Sequence, residues 1–189
     1  MNVYHATGKV DLTIISPNTG THGMNCIYAS VDMIIASLFL STVGGDYTCA
    51  IGREPFSRKP FVCERFKGAF EKRYSNRDGM IYKLDGSLFY NNNTSWNEEV
   101  VCFQPVAPLD AFYIGNVEEY LRYLQSKDML IIKMYPDRFA FIPDDDEDLI
   151  DRTCEWIKTH SKDDVLTSFS YYHQGLKERL MKRLASANL

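Results

Sequence analysis

The sequence predicts an α+β protein, and three observations carry that prediction. Short apolar runs broken by turn residues fill the first two-thirds of the chain. Helical apolar spacing takes over in the last third. Apolar residues make up 45% and charged residues 24% of the 189, fractions typical of a chain with a buried core. That length fits one domain. Residues 1–115 are expected to form a sheet-rich core. Residues 116–189 are expected to be a mostly helical extension packed on the same domain.

Asn2 to Ala6 reads as a strand ended by Thr7-Gly8. Leu12 to Ser16 is a second extended run, stopped by Pro17-Asn18, and TGTHG after it is a loop. Met24 to Ala29 reads as a strand feeding a helix from Val31 to about Ser41, with Ser30 as its N-cap, Asp32 in its first turn and Val43-Gly44-Gly45 as its stop. Tyr47 to Ile51, Gly79 to Leu84, Glu99 to Phe103 and Leu109 to Ile114 are further strands. Asp85-Gly86 is a turn, NNNTS from Asn91 is a loop, and residues 52–78 give no clear pattern. Val117, Tyr120, Leu121 and Leu124 make Asn116 to Lys127 an amphipathic helix. Met129 to Met134 is a strand. The acidic run after Pro143 opens a helix striped by Leu149, Ile150, Cys154 and Ile157, and Leu176, Leu180, Met181 and Leu184 mark a final one.

The net charge of −4 argues against duplex nucleic acid as the main partner, because phosphate binding needs a basic excess. The longest apolar run, Met33 to Leu40, falls well short of the roughly 18 residues that span a bilayer. MNVYHATGKVDL has no basic-then-apolar leader. Cys26, Cys49, Cys63, Cys102 and Cys154 are odd in number and widely spaced among apolar neighbours, which reads as reduced thiols in a cytoplasm. With no C-x-x-C pair, no zinc ribbon is expected and no metal is required.

Two short segments and a third downstream stand out together. Val3-Tyr4-His5-Ala6-Thr7-Gly8 is a strand carrying a histidine beside a small-residue turn. Cys26-Ile27-Tyr28-Ala29-Ser30 is a strand carrying a tyrosine into a helix with Asp32 and Ala36. Trp96-Asn97-Glu98-Glu99-Val100-Val101 places acids at the head of a strand. This order of histidine, tyrosine and glutamate resembles the His-Tyr-Glu branch of the ADP-ribosyltransferase fold, shared by diphtheria-like toxins and poly(ADP-ribose) polymerases. The resemblance spans residues 3 to about 114 and implies two small β-sheets packed at an angle around a cleft, with flanking helices.

The resemblance implies NAD as substrate, with ADP-ribose passed to a macromolecular acceptor or to water. It puts His5, Ala6, Thr7 and Tyr28 around NAD. Ala6 stands where the family often has glycine. The catalytic acid is Glu98 when aligned on an Asn-Glu-aromatic pattern and Glu99 when aligned on Pro105-Val106. Adjacent strand residues face opposite sides, so one alone enters the cleft. Glu99 is preferred because Val101 and Phe103 would continue its inward face. Cleaving the nicotinamide–ribose bond develops an oxocarbenium-like centre that a carboxylate stabilises, as in glycosidases. In the same implied scheme the histidine orients the adenosine-side ribose and the tyrosine stacks on nicotinamide.

Two alternatives stand beside this reading. One is a non-catalytic interaction module that keeps the fold. The other is a related NAD-dependent transferase acting on phosphorylated RNA ends, which needs a basic cleft. Several tempting features have plainer readings. His22-Gly23 reads as a turn. Asp144 to Asp148 lacks the spacing of a calcium loop and reads as a helix start. Lys177 to Arg183 reads as a solvated face. Nothing around Cys102 in the sequence supports a cysteine nucleophile. Arg53, Arg58, Lys59, Arg65 and Lys67 line a phosphate path or face water.

Overall fold

A computed structural model describes residues 1–19, 24–91 and 98–187. Among these the chain is α+β. In chain order the elements are β1 (Asn2–Thr7), β2 (Asn18–Thr19), β3 (Asn25–Ser30), α1 (Met33–Ser37), β4 (Cys49–Arg53), β5 (Pro60–Glu64) and α2 (Ala69–Tyr74). There follow β6 (Gly79–Asp85), β7 (Glu99–Cys102), β8 (Asp110–Ile114), α3 (Val117–Ser126), β9 (Ile131–Lys133), α4 (Glu147–Ile157), α5 (Lys162–Tyr172) and α6 (Lys177–Ala187). No helix among the described residues is long and apolar enough to cross a membrane.

The chain forms two compact units, Met1–Thr42, Gly52–Phe61 and Tyr74–Ile132 in the first and Val43–Ile51, Val62–Arg73 and Lys133–Leu189 in the second. A three-stranded sheet runs in the order β4–β5–β9.

In the first unit an antiparallel sheet runs β2–β3–β1–β6–β8, with β7 on β3. β1 pairs with β6 along its whole length, from Asn2↔Asp85 to Thr7↔Met80. The strand pattern alternates, so one face gathers Val3, Ile27, Ala29, Met80, Tyr82, Leu84, Val100 and Cys102 into a buried core. α1 packs against β1, β3 and β6.

Three local differences from the sequence reading have physical causes. Leu12 to Ser16 is not a strand, because its donors are satisfied one at a time. The Leu12 amide donates to the buried Tyr82 hydroxyl (2.9 Å), and Ile15 exchanges both main-chain bonds with Val106. Tyr82 in turn donates to the Lys9 carbonyl (3.1 Å), so one side chain pins the segment after β1. The helix after β3 is shorter than Val31 to Ser41. Its N-cap is Asp32 and not Ser30: the Asp32 carboxylate accepts from the Ile34 and Ile35 amides, while Ser30 Oγ accepts from Asp32 N. Past Ser37 the amides of Leu38, Phe39 and Leu40 reach three residues back, a tightened end that stops the α-helix before Val43. The unread stretch 52–78 holds β5 and α2.

The second unit builds its own core from Tyr47, Leu149, Ile150, Cys154, Phe169, Leu180 and Leu184. Tyr47 meets Trp156 and Phe169 edge-on, at 5.3 and 5.8 Å between ring centres. His173 ends α5 and donates from Nε2 to the Tyr47 carbonyl at 2.6 Å, a buried bond joining that helix to the turn before β4. The acidic run does start a helix, yet its acids serve mainly as counter-ions. Asp146 sits in the left-handed region (φ 56°) with no capping bond. Its carboxylate takes Arg65 and Arg138, and Asp148 takes Arg65 through two bonds. The basic side of α6 is not a plain solvated face either. Arg179 pairs with Asp145 and Glu147, and Arg183 with Glu147 and Asp151.

Tyr82→Phe is expected to cost about 1 kcal/mol by orphaning the Leu12 amide, read as a lower urea midpoint with unchanged slope. Burial pushes the His173 imidazole below its ordinary value, and burial does the same to His5. Above roughly pH 6.5 both folded and unfolded rings are neutral. Below that, the unfolded chain takes up a proton that the folded chain refuses, so stability falls until the pH passes the folded value. Urea midpoints measured from pH 7.5 downward are expected to drop, and His173→Gln to flatten the drop; an identical slope in the variant refutes this account.

Candidate functional site

β3 is the strand on which the site is built. β1 lies along one edge, while β7 and β2 share the other. Its register with β7 sets Tyr28 against Val101 and Ser30 against Glu99. Paired residues in an antiparallel ladder share a face, and so do residues two apart. Tyr28, Ser30, Glu99 and Val101 therefore stand on one face, opposite the core face of Ile27, Ala29, Val100 and Cys102. Ala6, paired with Ile81 two residues beyond the Tyr4↔Ser30 pair, is on that same face.

Tyr28 is half-buried and its hydroxyl is wholly withdrawn from water. Burial pushes its phenol well above the ordinary range, and the neighbouring Cys26 thiol and Glu99 carboxylate push the same way. The phenol is thus a neutral group at any working pH. The Cys26 thiol is likewise raised, chiefly by burial, which makes it inert rather than nucleophilic.

His5 reaches the site differently. Its partner across β1–β6 is Tyr82, so by register it belongs to the core face, as does Thr7 opposite Met80. β1 meets β3 at Tyr4↔Ser30. One residue further along, the imidazole bonds the Tyr28 carbonyl at 2.7 Å. A carbonyl accepts only, so Nδ1 carries the proton. Burial holds the ring's pKa down, partly offset by this bond, so the ring is neutral at pH 7 and Nε2 is an acceptor. Thr7 accepts from the Lys9 amide (3.2 Å), and Ala6 does not occupy the left-handed region that would demand glycine.

The two glutamates separate cleanly. Glu98 precedes β7; its carboxylate pairs with Arg53 Nε, and its carbonyl accepts from Val31 N at 3.0 Å. Glu99 is the first residue of β7, half-buried on the Tyr28 face. Val101 continues that face as expected. Phe103 does not: it lies past the end of β7 and is 56% exposed.

Of the expected set, the fold brings Tyr28, Glu99 and Ala6 to one face, attaches His5 to it through a main-chain carbonyl, and engages Glu98 in an ion pair. His22-Gly23, Trp96-Asn97 and most of the NNNTS loop lie outside the described residues. Arg53 and Arg65 each hold two carboxylates rather than lining an open anion path. Sequence reasoning missed Cys26 as the neighbour of the Tyr28 hydroxyl and Arg53 as the partner of Glu98. The first was legible from i, i+2 spacing on one strand. The second joins residues 45 apart and left no sequence signal.

Comparison with protein families, with curated proteins and with solved structures finds no match for this chain.

Proposed function

We propose that this chain uses NAD as an ADP-ribosyl donor, acting on a macromolecule or on water. The observation that carries the reading is the β3–β7 register, which supports a carboxylate and a tyrosine ring working on one ligand: Ser30 opposes Glu99 while Tyr28 opposes Val101. In this reading the flat nicotinamide stacks on the Tyr28 ring. The Glu99 carboxylate accepts from a ribose hydroxyl and stabilises positive charge as the glycosidic C–N bond breaks. Nicotinamide leaves with the bonding electron pair. The acceptor nucleophile then forms a bond to the ribose carbon and gives up its proton to solvent. His5 Nε2, an acceptor because Nδ1–H is spent on the Tyr28 carbonyl, takes a hydroxyl of the adenosine-side ribose. Five free, buried cysteines support a reducing compartment such as the cytoplasm.

The second reading is a non-catalytic interaction module on the same scaffold. The position of His5 favours it, because by register that side chain belongs to the core face and its imidazole holds a main-chain carbonyl.

Calorimetric titration with NAD tests both. The enzyme reading expects saturable binding that weakens in Tyr28→Ala. Glu99→Gln is expected to keep that binding and lose nicotinamide release by roughly 100- to 1,000-fold, the size seen when one preorganised electrostatic group is removed. No binding at millimolar NAD refutes the donor role and leaves the interaction module.

A further inference from the structure

We infer that Arg53 is a positioning residue that holds Glu99 beside Tyr28, an inference that rests on the NAD reading for its catalytic consequence. Arg53 ends β4 and spends all three guanidinium nitrogens. Nε donates to the Glu98 carboxylate, Nη2 to the Asp32 carboxylate, and Nη1 to the Arg58 carbonyl at 2.8 Å. Both carboxylates matter to the site for separate reasons. Asp32 uses its other oxygen to cap α1, so it marks the corner where the Tyr28 strand turns into the helix. Glu98 immediately precedes Glu99, and its own carbonyl accepts from Val31 at that same corner. The guanidinium therefore ties the head of β7 to the end of β3 across the Ser30↔Glu99 pair.

At 18% side-chain exposure Arg53 is too withdrawn for solvent to screen these pairs as it screens surface ones. Without the guanidinium, two half-buried carboxylates are left facing each other and repel. The cheapest relief is for the first residues of β7 to lift away, and Glu99 is the first of them. A planar fork bridges two acceptors in a way that an ammonium, a point charge, does not. A displacement of the carboxylate by about 1 Å is enough to cost on the order of 100-fold in rate without changing what holds NAD.

Arg53→Gln tests this in two independent ways. The first is amide hydrogen exchange, which uses no NAD. Faster exchange is expected at Val31, whose amide bonds Glu98, and at Val101, which exchanges main-chain bonds with Tyr90, while the β6 amides keep their rates. The second is steady-state nicotinamide release. The expectation is a kcat lower by about 10- to 100-fold with KM for NAD within about 3-fold, the split of a group that acts in the transition state through another. Glu98→Gln, which keeps an acceptor for the guanidinium, is expected to retain more rate than Glu98→Ala, and Arg53→Lys less than the unsubstituted chain. Unchanged exchange at Val31 and Val101 overturns the inference whatever NAD does. So does an unchanged kcat in Arg53→Gln when Glu99→Gln is inactive. If the unsubstituted chain releases no nicotinamide, the NAD reading fails, and the exchange result alone decides whether Arg53 holds β7.

Discussion

Everything that matters in the first unit depends on the register of β3 between β1 and β7. A slip of one residue on β7 would exchange the two faces, carrying Glu99 into the core and Val100 out of it. The register is held by burial, since Ile27, Ala29, Val100 and Cys102 on one face and Val101 on the other lose contact with water. It is also held by side chains that bind main chain. His5 takes the Tyr28 carbonyl, and Tyr82 takes the Lys9 carbonyl and the Leu12 amide. These bonds satisfy backbone groups without a ladder partner, the Tyr28 carbonyl in β3 and the Lys9 and Leu12 groups past the end of β1, which is why polar side chains are found so close to an apolar core.

Charge is handled alike in both units, by arginines shared between acids. In the first, Arg53 joins Asp32 and Glu98. In the second, Arg65, with 1% of its side chain exposed, binds Asp146 and Asp148, while Arg138 binds Asp146 and the Arg65 carbonyl. Burying such groups is expensive, and the expense is offset only when each donor and acceptor is used. The Asp146 backbone, held at φ 56°, shows what the network asks of the chain: a conformation costly for a non-glycine residue, adopted where the carboxylate must reach two guanidinium groups. Asp146 and Asp148 of the acidic run therefore serve as internal counter-ions to Arg65 and Arg138.

The candidate site joins two kinds of environment. On one face of the sheet lie a phenol forced to stay neutral and a carboxylate next to it. At the seam of β1 and β3 lies an imidazole whose tautomer is set by a carbonyl. Groups of this sort, with protonation states set by burial and fixed partners, are what a site needs to act on a developing charge without rearranging. The same imidazole also has a plain structural use, and that double character is why chemistry on NAD and simple scaffolding are both compatible with its place.

The sequence by itself determined the elements whose signals are local. β1, β3, β6, β8 and α3 follow from alternation or helical spacing between turn residues, and Asn116 caps α3 through the Glu119 amide as its position implies. Alternation places Glu98 and Glu99 on opposite sides, but which side each takes is set by the pairing of Glu99 with Ser30 on β3. Tertiary structure decided what local signals leave open. Leu12 to Ser16 looks extended, yet a hydroxyl from Tyr82, 70 residues away, claims its amide. Ser30 looks like a cap, but Asp32 was better placed once its second oxygen had a guanidinium to meet. β5 and α2 lay in a stretch whose apolar spacing matches neither period, because their burial comes from elements distant in sequence. Local pattern reports the energy of a residue against its neighbours along the chain. Arg53, Arg65 and His5 acquire their roles from groups brought to them only when the chain has folded, and no spacing in the sequence encodes that meeting.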